Sequence, residues 1–389
     1  MGARAGLAQL VERFSCKEDV VGSNPTPGSR GPAGPRLILR ILVVTNAYPA
    51  PERPAYGIYV ARLVAALERE GHEVAVAASD EEGGGWRSLR KYARLALRAR
   101  SAVRSHPPDV IWGHYLVPTG SIARHAARSA HVPYALTAHG TDVANAERSP
   151  RIRKATLKAL GDACAVFAVS DDLAVRLEAV AGPLGDRLHI VSAGIDLEAF
   201  VDGDAEVAAA ALGWDSDGPR VAFVGNLIPR KNVARLLAAF ATARAEWGGG
   251  SLAIAGDGPL MAELVEIAGA LGIRDHVRFA GAVSPADVPR WVRACDVACL
   301  VSLREGFGLA AIEALACGTP VVASARSAVA EIVGPGCGAL AHDTEDGFVR
   351  ATRTVLDVDR QVSRQAASAR AELFPWSNAI DGMLAALGA

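Results

Sequence analysis

The chain is built from short, continuous apolar runs that alternate with longer stretches of helical periodicity. Residues 37–45 (LILRILVVT), Glu73–Ala78, 109–113 and Tyr134–Ala138 are runs of this kind, and stretches such as 57–69 separate them. A strand that is buried on both faces is apolar throughout, because helices cover both sides of a parallel sheet. The repetition therefore predicts an α/β protein with a doubly wound parallel sheet.

The same alternation occurs a second time in the C-terminal half. It pauses over residues 194–218, where Gly and Asp cluster, and such clusters are typical of connecting segments. We therefore expect two Rossmann-like domains that face a central cleft. The expected parts are an N-terminal domain over 37–198, a linker over 199–218, a C-terminal domain over 219–372 and a closing helix over 373–389 that packs back towards the N-terminal domain.

Composition excludes several classes of protein. The 389 residues include 41 Lys and Arg and 42 Asp and Glu, so the net charge is −1. A general nucleic-acid binder needs a positive surplus to neutralise phosphates, so nucleic acid is not an expected partner. The sequence has no uninterrupted run of 18 apolar residues, and its six cysteines show no CxxC pair. No membrane-spanning helix, disulfide framework or zinc site is expected.

Residues 1–36 do not share the alternation and end in a stretch rich in Gly, Pro and Arg. They lack the apolar core of a secretory signal, so we expect a cytoplasmic protein. We interpret this segment as a leader without a fold of its own, or as the product of a start codon placed too far upstream.

The segment 302–323 (SLREGFGLAAIEALACGTPVVA) carries the most specific chemical signal. The loop 305–308 follows a predicted strand, and a helix is expected to begin near Leu309. Its glycines let a ligand approach the backbone, and amide groups at a helix start suit anionic or hydroxyl-rich groups. Glu305 and Glu313 are eight residues apart, and we expect both carboxylates to accept hydrogen bonds from ribose and sugar hydroxyls in one pocket.

This segment, with its E-x7-E spacing, closely resembles the signature of the family 4 retaining glycosyltransferases, which have the GT-B fold. The resemblance covers nearly all of residues 37–389, and the co-linear order of its segments makes it specific. The other matching segments are NAYPAPERPAYGIYVARLVAALEREGHEVAV at 46–76, LTAHGTD at 136–142, AGIDLEAF at 193–200, FVGNLIPRKN at 223–232, IAGDGPL at 254–260 and FPWSNAIDGML at 374–384.

The resemblance implies retaining transfer of a sugar from a nucleotide-diphosphate sugar to a hydroxyl of a glycan, lipid-linked or small-molecule acceptor. It implies that the C-terminal domain binds the donor, that the N-terminal domain holds the acceptor, and that the leaving phosphate helps to take the proton. Neither a protein nucleophile nor a cofactor is then needed, and cell-envelope polysaccharide synthesis is the expected setting. No metal is expected, because none of the DxD pairs follows a strand that faces the cleft. These pairs are Asp202/Asp204, Asp215/Asp217 and Asp357/Asp359.

Carried over position by position, the resemblance assigns Lys231 to the donor diphosphate, where an ammonium neutralises the charge that develops on the leaving group. Lys231 is one of only five lysines in the chain. Asn226 stands where the family often has Arg, and Arg230 is the candidate to replace that charge. The other donor-side candidates are Gly306, Phe307, Gly308, Leu309, Glu313, Gly57 and Gly256.

His139 and Glu305 are the candidates for contact with the reacting sugar. A histidine can donate or accept a hydrogen bond at neutral pH, and the resemblance implies that His139 lies near the bond being formed. Weaker acceptor-side candidates are Tyr56, His114 and Asp142. For His114, acceptor contact and a purely structural role remain equally open.

Residues 86–104 (WRSLRKYARLALRARSAVR) contain seven cations and no anion. Trp86, Leu89, Ala93 and Leu97 recur at helical spacing, which predicts a basic amphipathic helix. Such a helix can rest on the anionic inner face of the plasma membrane, and the alternative is a solvated basic surface.

Three other functions share parts of this pattern. A nucleotide-sugar epimerase with the GT-B outline has the same two domains, but the segment 302–323 favours transfer. A NAD-dependent dehydrogenase needs GxGxxG after its first strand, which residues 46–49 do not supply. A non-catalytic sugar-nucleotide-binding protein does not need Glu305, Glu313 and Lys231 together.

Overall fold

The computed structural model describes residues 38–79 and 86–387. The interpretation of residues 1–36 therefore concerns a segment outside the described residues. The described residues form two parallel sheets of six strands each, with helices on both faces. In this part of the chain, no helix is both long and apolar enough to cross a bilayer.

The first sheet has the spatial order β2-β1-β3-β4-β5-β6. Its strands are β1 (Arg40–Thr45), β2 (Glu73–Ala78), β3 (Val110–His114), β4 (Tyr134–Ala138), β5 (Ala165–Ala168) and β6 (Leu188–Ile190). Its helices are α1 (Ile58–Arg69), α2 (Trp86–Ser105), α3 (Thr119–Ala130), α4 (Thr141–Arg148), α5 (Pro150–Leu160) and α6 (Asp171–Ala181). The chain changes direction across the sheet between β1 and β3, so the loops after these two strands flank a crevice.

The second sheet has the spatial order β12-β11-β10-β7-β8-β9. Its strands are β7 (Arg220–Val224), β8 (Ser251–Ala255), β9 (Val277–Gly281), β10 (Val297–Leu300), β11 (Val321–Ser324) and β12 (Gly338–Ala341). A short helix α7 (Ala205–Leu212) precedes it. Its own helices are α8 (Val233–Trp247), α9 (Met261–Ala270), α10 (Val288–Arg293), α11 (Leu309–Ala316), α12 (Glu345–Leu356) and α13 (Arg360–Ala371). Here the crevice lies between the loops after β7 and β10.

Helix α7 lies inside the segment that the sequence analysis interpreted as a linker. Asp204 caps it by accepting hydrogen bonds from the amides of Glu206 and Val207, at 2.8 and 3.0 Å. Ala208 and Ala209 are buried against the C-terminal half, and so is Trp214 just after the helix. The segment is therefore packed against the C-terminal half. Gly and Asp residues surround its short alanine helix, and for this reason the sequence did not predict the helix.

The last helix, α14 (Trp376–Ala386), packs against α1 of the N-terminal half. The amide of Ile195 donates a 2.8 Å hydrogen bond to the carbonyl of Phe374 just before this helix. A Cβ atom at Gly194 would lie 2.5 Å from the backbone of Trp376, so only glycine permits this approach. The C-terminal segment therefore ties the two halves together behind the cleft.

Candidate active site

A cavity of about 380 Å³ lies between the two halves, at the carboxyl ends of both sheets. Its wall includes Tyr115, directly after β3, and His139, directly after β4. On the opposite side it includes Gly225, directly after β7, and Glu305, in the loop after β10. The crevices of the two sheets thus open into one space, as expected for ligand sites in doubly wound folds.

Most candidates from the sequence analysis line this cavity. They are His139, Asn226, Arg230, Lys231, Glu305, Gly306, Phe307, Gly308, Leu309 and Glu313.

Lys231 and Glu305 form an ion pair in the wall of the cavity. Lys231 ends a 3-10 turn (Pro229–Lys231) after β7, and its Nζ lies 2.5 Å from Oε1 of Glu305. A second cation, the Arg230 guanidinium, lies 3.9 Å from the other carboxylate oxygen. Burial by itself raises the pKa of Glu305, but Lys231, a hydrogen bond with Ser302 and Arg230 outweigh it and hold that pKa below its ordinary value. Glu305 is therefore a carboxylate at neutral pH, with two cations beside it.

The loop 305–308 delivers the start of α11 to the cavity. Gly308 has φ 104°, and a Cβ atom there would lie 2.5 Å from Val329, so this position requires glycine. No side chain caps α11, and its first turn contains no acidic residue. The start of this helix carries a partial positive charge and lines the same cavity as Lys231, which suits a phosphate group.

Glu313, one turn into α11, pairs with a residue that the sequence analysis did not identify. Nη1 of Arg62, on α1 of the opposite half, lies 2.5 Å from Oε1 of Glu313. The Arg62 guanidinium also lies over the ring of Phe200, 5.0 Å from its centroid. Nothing in the sequence distinguishes Arg62 from the exposed arginines of other helices, because its direction depends on how α1 faces the cleft.

His139 lies in an aromatic wall on the N-terminal side. Its Nε2 is 3.1 Å from Nδ1 of His114, and the rings of Tyr115 and Tyr59 are 4.3 and 5.2 Å from its own ring. Burial lowers the pKa of His139 to about 3. Burial, followed by the neighbouring His139, also lowers the pKa of His114 well below its ordinary value. The two imidazoles are therefore neutral, and one donates to the other.

The remaining candidates are not among the residues that line this cavity. His114 is fully buried beneath His139. The Asp142 carboxylate is also buried and accepts hydrogen bonds from the amides of Leu116, His139 and Val143. Both residues therefore support His139 from behind.

Tyr56, Gly57 and Gly256 each contact the backbone of a loop residue. The Tyr56 hydroxyl donates to the carbonyl of Asn46 at 3.3 Å. A Cβ atom at Gly57 would lie 2.2 Å from the backbone of Ala47, and one at Gly256 would lie 1.9 Å from that of Gly225. These glycines permit close packing of loop segments. In a sequence, a glycine that is needed for such packing cannot be distinguished from one that is needed for ligand approach.

The cavity wall also contains Tyr59, Tyr115 and Thr141, which the sequence analysis missed. Tyr115 has φ 72°, which is rare for a residue other than glycine, and its position directly after β3 was the available signal. The buried Tyr59 hydroxyl has no hydrogen-bond partner among the described residues.

Several contacts join the two halves beside the cavity. Ser170 Oγ donates a 2.7 Å hydrogen bond to the carbonyl of Gly306. The Glu331 carboxylate accepts hydrogen bonds from the amides of Asp171 and Asp172 at the start of α6, at 3.0 and 2.9 Å. These hydrogen bonds hold the two halves together beside the cavity.

Comparison with known families covers both halves. The family described as Glycosyltransferase Family 4 matches residues 57–199, and the family described as Glycosyl transferases group 1 matches residues 204–372. The chain is 35% identical over 314 residues to a D-inositol 3-phosphate glycosyltransferase of Mycolicibacterium vanbaalenii, covering 75% of this chain and 69% of that protein. It is 30% identical over 417 residues to the protein of the same name from Mycobacterium tuberculosis, covering 92% of this chain and 86% of the relative.

Solved structures share the fold. Sucrose-phosphate synthase from Thermosynechococcus elongatus superposes with a TM-score of 0.74 at 21% identity, over 89% of this chain and 97% of that one. The Anabaena protein HepE, solved in complex with UDP and glucose, gives a TM-score of 0.72 at 19% identity, over 90% of this chain and 99% of that one. With two doubly wound halves, a cavity between them and these matches along both halves, the chain belongs to the family 4 glycosyltransferases of group 1 and has their GT-B fold.

Proposed function

We propose that this enzyme moves a sugar from a nucleotide-diphosphate sugar to a hydroxyl of a glycan, lipid-linked or small-molecule acceptor, with retention of the anomeric configuration. The observation that carries this proposal is the set of residues that line one cavity. Lys231, Arg230 and the start of α11 gather positive charge on one wall, where a diphosphate would lie. His139 and two tyrosines face them from the other wall. The HepE complex with UDP and glucose supports a donor of this class.

Retention by same-face attack agrees with the charges of the wall. The carboxylates among the described wall residues are Glu305 and Glu313, and each is held in an ion pair. Neither is free to attack the anomeric carbon. In the proposed reaction the acceptor oxygen attacks that carbon from the side of the departing diphosphate. The acceptor proton passes to a phosphate oxygen, and neutral His139 donates or accepts a hydrogen bond at a sugar hydroxyl.

We also infer that transfer needs no added metal ion. Lys231, Arg230 and the amides of α11 can stabilise the negative charge of a leaving diphosphate. Activity that survives dialysis against EDTA is the expected result, and activity restored only by Mg²⁺ or Mn²⁺ would contradict this inference.

The test begins with thermal-shift screening against UDP-, GDP- and ADP-sugars. The donor that stabilises the protein is then incubated with acceptor mixtures, and NMR determines the anomeric configuration of the product. A product with the donor's configuration supports the proposal, and an inverted product contradicts it. Isomerisation of the donor without an acceptor would identify an epimerase, and stabilisation without any product would identify a sugar-nucleotide-binding protein.

We propose in addition that helix α2 rests on an anionic membrane surface, which would bring a lipid-linked acceptor to the cleft from the cytoplasmic side. The leucines that the sequence analysis placed on one stripe face solvent, with Leu89 64% and Leu97 66% exposed. Exposed arginines, including Arg90, Arg100 and Arg104, lie on the same helix. The side chain of Trp86, the fourth residue of that predicted stripe, is outside the described part of the structure.

Helices that lie in a bilayer interface typically have apolar side chains flanked by cationic ones. Sedimentation with vesicles of phosphatidylglycerol is expected to capture the protein, whereas vesicles of phosphatidylcholine alone are not. The double variant Leu89→Ser/Leu97→Ser should weaken capture even at low salt. Binding to neither kind of vesicle would identify α2 as a solvated basic helix, and equal binding to both kinds would contradict a preference for an anionic surface.

A further inference from the structure

The Arg62–Glu313 pair joins the two halves inside the cavity. Arg62 belongs to α1 of the N-terminal half and Glu313 to α11 of the C-terminal half, 251 positions further along the chain. Both side chains are largely buried, with 17% and 11% of their surfaces exposed. Among the described residues, Arg62 is the one cation within ion-pair distance of Glu313.

A carboxylate in such a place needs a cation. Removing a charge from water is costly, and deleting one partner of a buried pair leaves the other uncompensated. Neutral hydroxyl groups alone compensate a buried carboxylate poorly. A carboxylate nevertheless has about four acceptor positions. Arg62 uses one of them, on Oε1, so Glu313 can keep this cation while it accepts hydrogen bonds from hydroxyl groups of a ligand.

Arg62 is itself held in place. Its guanidinium lies over the Phe200 ring, 5.0 Å from the centroid, and this contact orients the planar group towards Glu313. Phe200 is buried in the segment that connects the two halves. The position of Arg62 therefore depends on how the halves meet.

We propose that Arg62 is a positioning residue for the donor: through its ion pair it holds the Glu313 carboxylate in the orientation that accepts hydrogen bonds from the ribose hydroxyls of the nucleotide. Because Arg62 belongs to the N-terminal half, the ribose site is complete only when the cleft is closed. Donor binding then favours closure. This inference rests on the proposed function, since it takes the nucleotide sugar as the ligand of the cavity.

The experiment measures the Kd of a nucleoside diphosphate by titration calorimetry, with whichever of UDP, GDP and ADP binds the unmodified protein. The same base is then measured with 2′-deoxyribose and 3′-deoxyribose. Arg62→Met keeps the length and the contact with Phe200 but removes the charge, whereas Arg62→Lys keeps a charge. Glu331→Ala is the matched control, because it removes another contact across the cleft and does not touch Glu313.

The unmodified protein is expected to bind at least one deoxy analogue about tenfold more weakly, the loss typical of a hydrogen bond to a charged group. Arg62→Met should weaken binding of the ribose form by about tenfold and should show almost no further loss with the deoxy analogue. Arg62→Lys should retain part of the affinity and part of the deoxy penalty, which is the factor by which removal of a ribose hydroxyl weakens binding. In transfer assays, Arg62→Met should raise the donor KM more than it lowers kcat.

Unchanged or tighter binding by Arg62→Met would overturn the inference. Arg62 would then pair with Glu313 only in the absence of a nucleotide, and the ribose would displace it. A ratio between the ribose and deoxyribose Kd values that stays the same in Arg62→Met as in the unmodified protein would also overturn it, since the weaker binding would then come from cleft closure in general, as expected for Glu331→Ala. If Arg62→Met does not fold, the deoxy penalty of Arg62→Lys decides, and a penalty identical to that of the unmodified protein contradicts the role. If no nucleoside diphosphate binds the unmodified protein, the proposed function fails instead.

Discussion

The Nζ atom of Lys231 lies 2.5 Å from Oε1 of Glu305, although the two residues are 74 positions apart. Lys231 belongs to the loop after β7 and Glu305 to the loop after β10, and these loops flank the crevice of the second sheet. The pair therefore fixes the two sides of that crevice to each other. It also keeps a cation at the cavity wall, where a diphosphate can share it.

Replacing Lys231 with Ala is expected to reduce turnover by about 100-fold or more, because a cation beside the leaving diphosphate stabilises the transition state. The diphosphate itself should also bind more weakly. Steady-state kinetics with the donor found by screening would measure both effects. Lys154→Ala, at an exposed lysine of α5, serves as the control and should leave kinetics unchanged. Near-normal turnover by a folded Lys231→Ala protein would remove Lys231 from the mechanism.

The strands and the C-terminal side of the cavity were accessible from the sequence for a physical reason. Strands such as β4 are buried on both faces, so their sequences are continuous apolar runs with clear ends. Ligand-facing residues follow the ends of such strands, and Lys231 and Glu305 are in these positions. The edge strand β12 (Gly338–Ala341) has three small residues and an exposed leucine, Leu340, so it shows no comparable run.

The N-terminal side of the cavity was less accessible. Arg62 and Tyr59 lie on α1, and periodicity alone does not tell which side of a buried helix faces the other half of the protein. Gly57 and Gly256 lie against the backbone of loop residues, and glycine is required equally where a loop packs on a loop and where a ligand approaches. Contacts that form only when two distant segments meet leave no local pattern.

The stability of the protein should depend on the charge of Glu305 at low pH. The pKa of this carboxyl lies below its ordinary value of 4.5 in the folded state, so its stabilising contribution is complete above pH 4.5 and is lost as the pH falls further. Urea unfolding at several pH values would measure the difference in unfolding free energy between the unmodified protein and Glu305→Gln. This difference should shrink below pH 4.5. Glu266→Gln, at an exposed residue of α9, is the comparison. A difference that stays constant or grows on acidification would contradict the assigned ion pair.

The histidine pair should remain neutral throughout the physiological range. Burial lowers the pKa of His139 to about 3, from an ordinary value of 6.5. Because the folded pKa is the lower one, His139 contributes stability that is complete above pH 6.5 and is lost progressively as the pH falls towards 3. NMR of ¹⁵N-labelled imidazoles is expected to show a neutral ring for His139 from pH 8 down to pH 5. Titration of this ring near pH 6.5 would show that it is not buried and would remove the argument for a neutral contact with the sugar.

Gly306 should control how closely the two halves approach. A Cβ atom at this position would lie 2.6 Å from the carbonyl oxygen of His139 across the cleft, closer than non-bonded atoms allow. Gly306→Ala is therefore expected to hold the cleft open, lower kcat/KM by about tenfold or more, and leave each half folded. Small-angle scattering should show a larger radius of gyration. Gly269→Ala, inside α9 with no atom within 4 Å of the added methyl group, should keep full activity and stabilise the protein by about 0.5–1 kcal/mol. Full activity of Gly306→Ala would mean that transfer does not require the closed contact between Gly306 and His139.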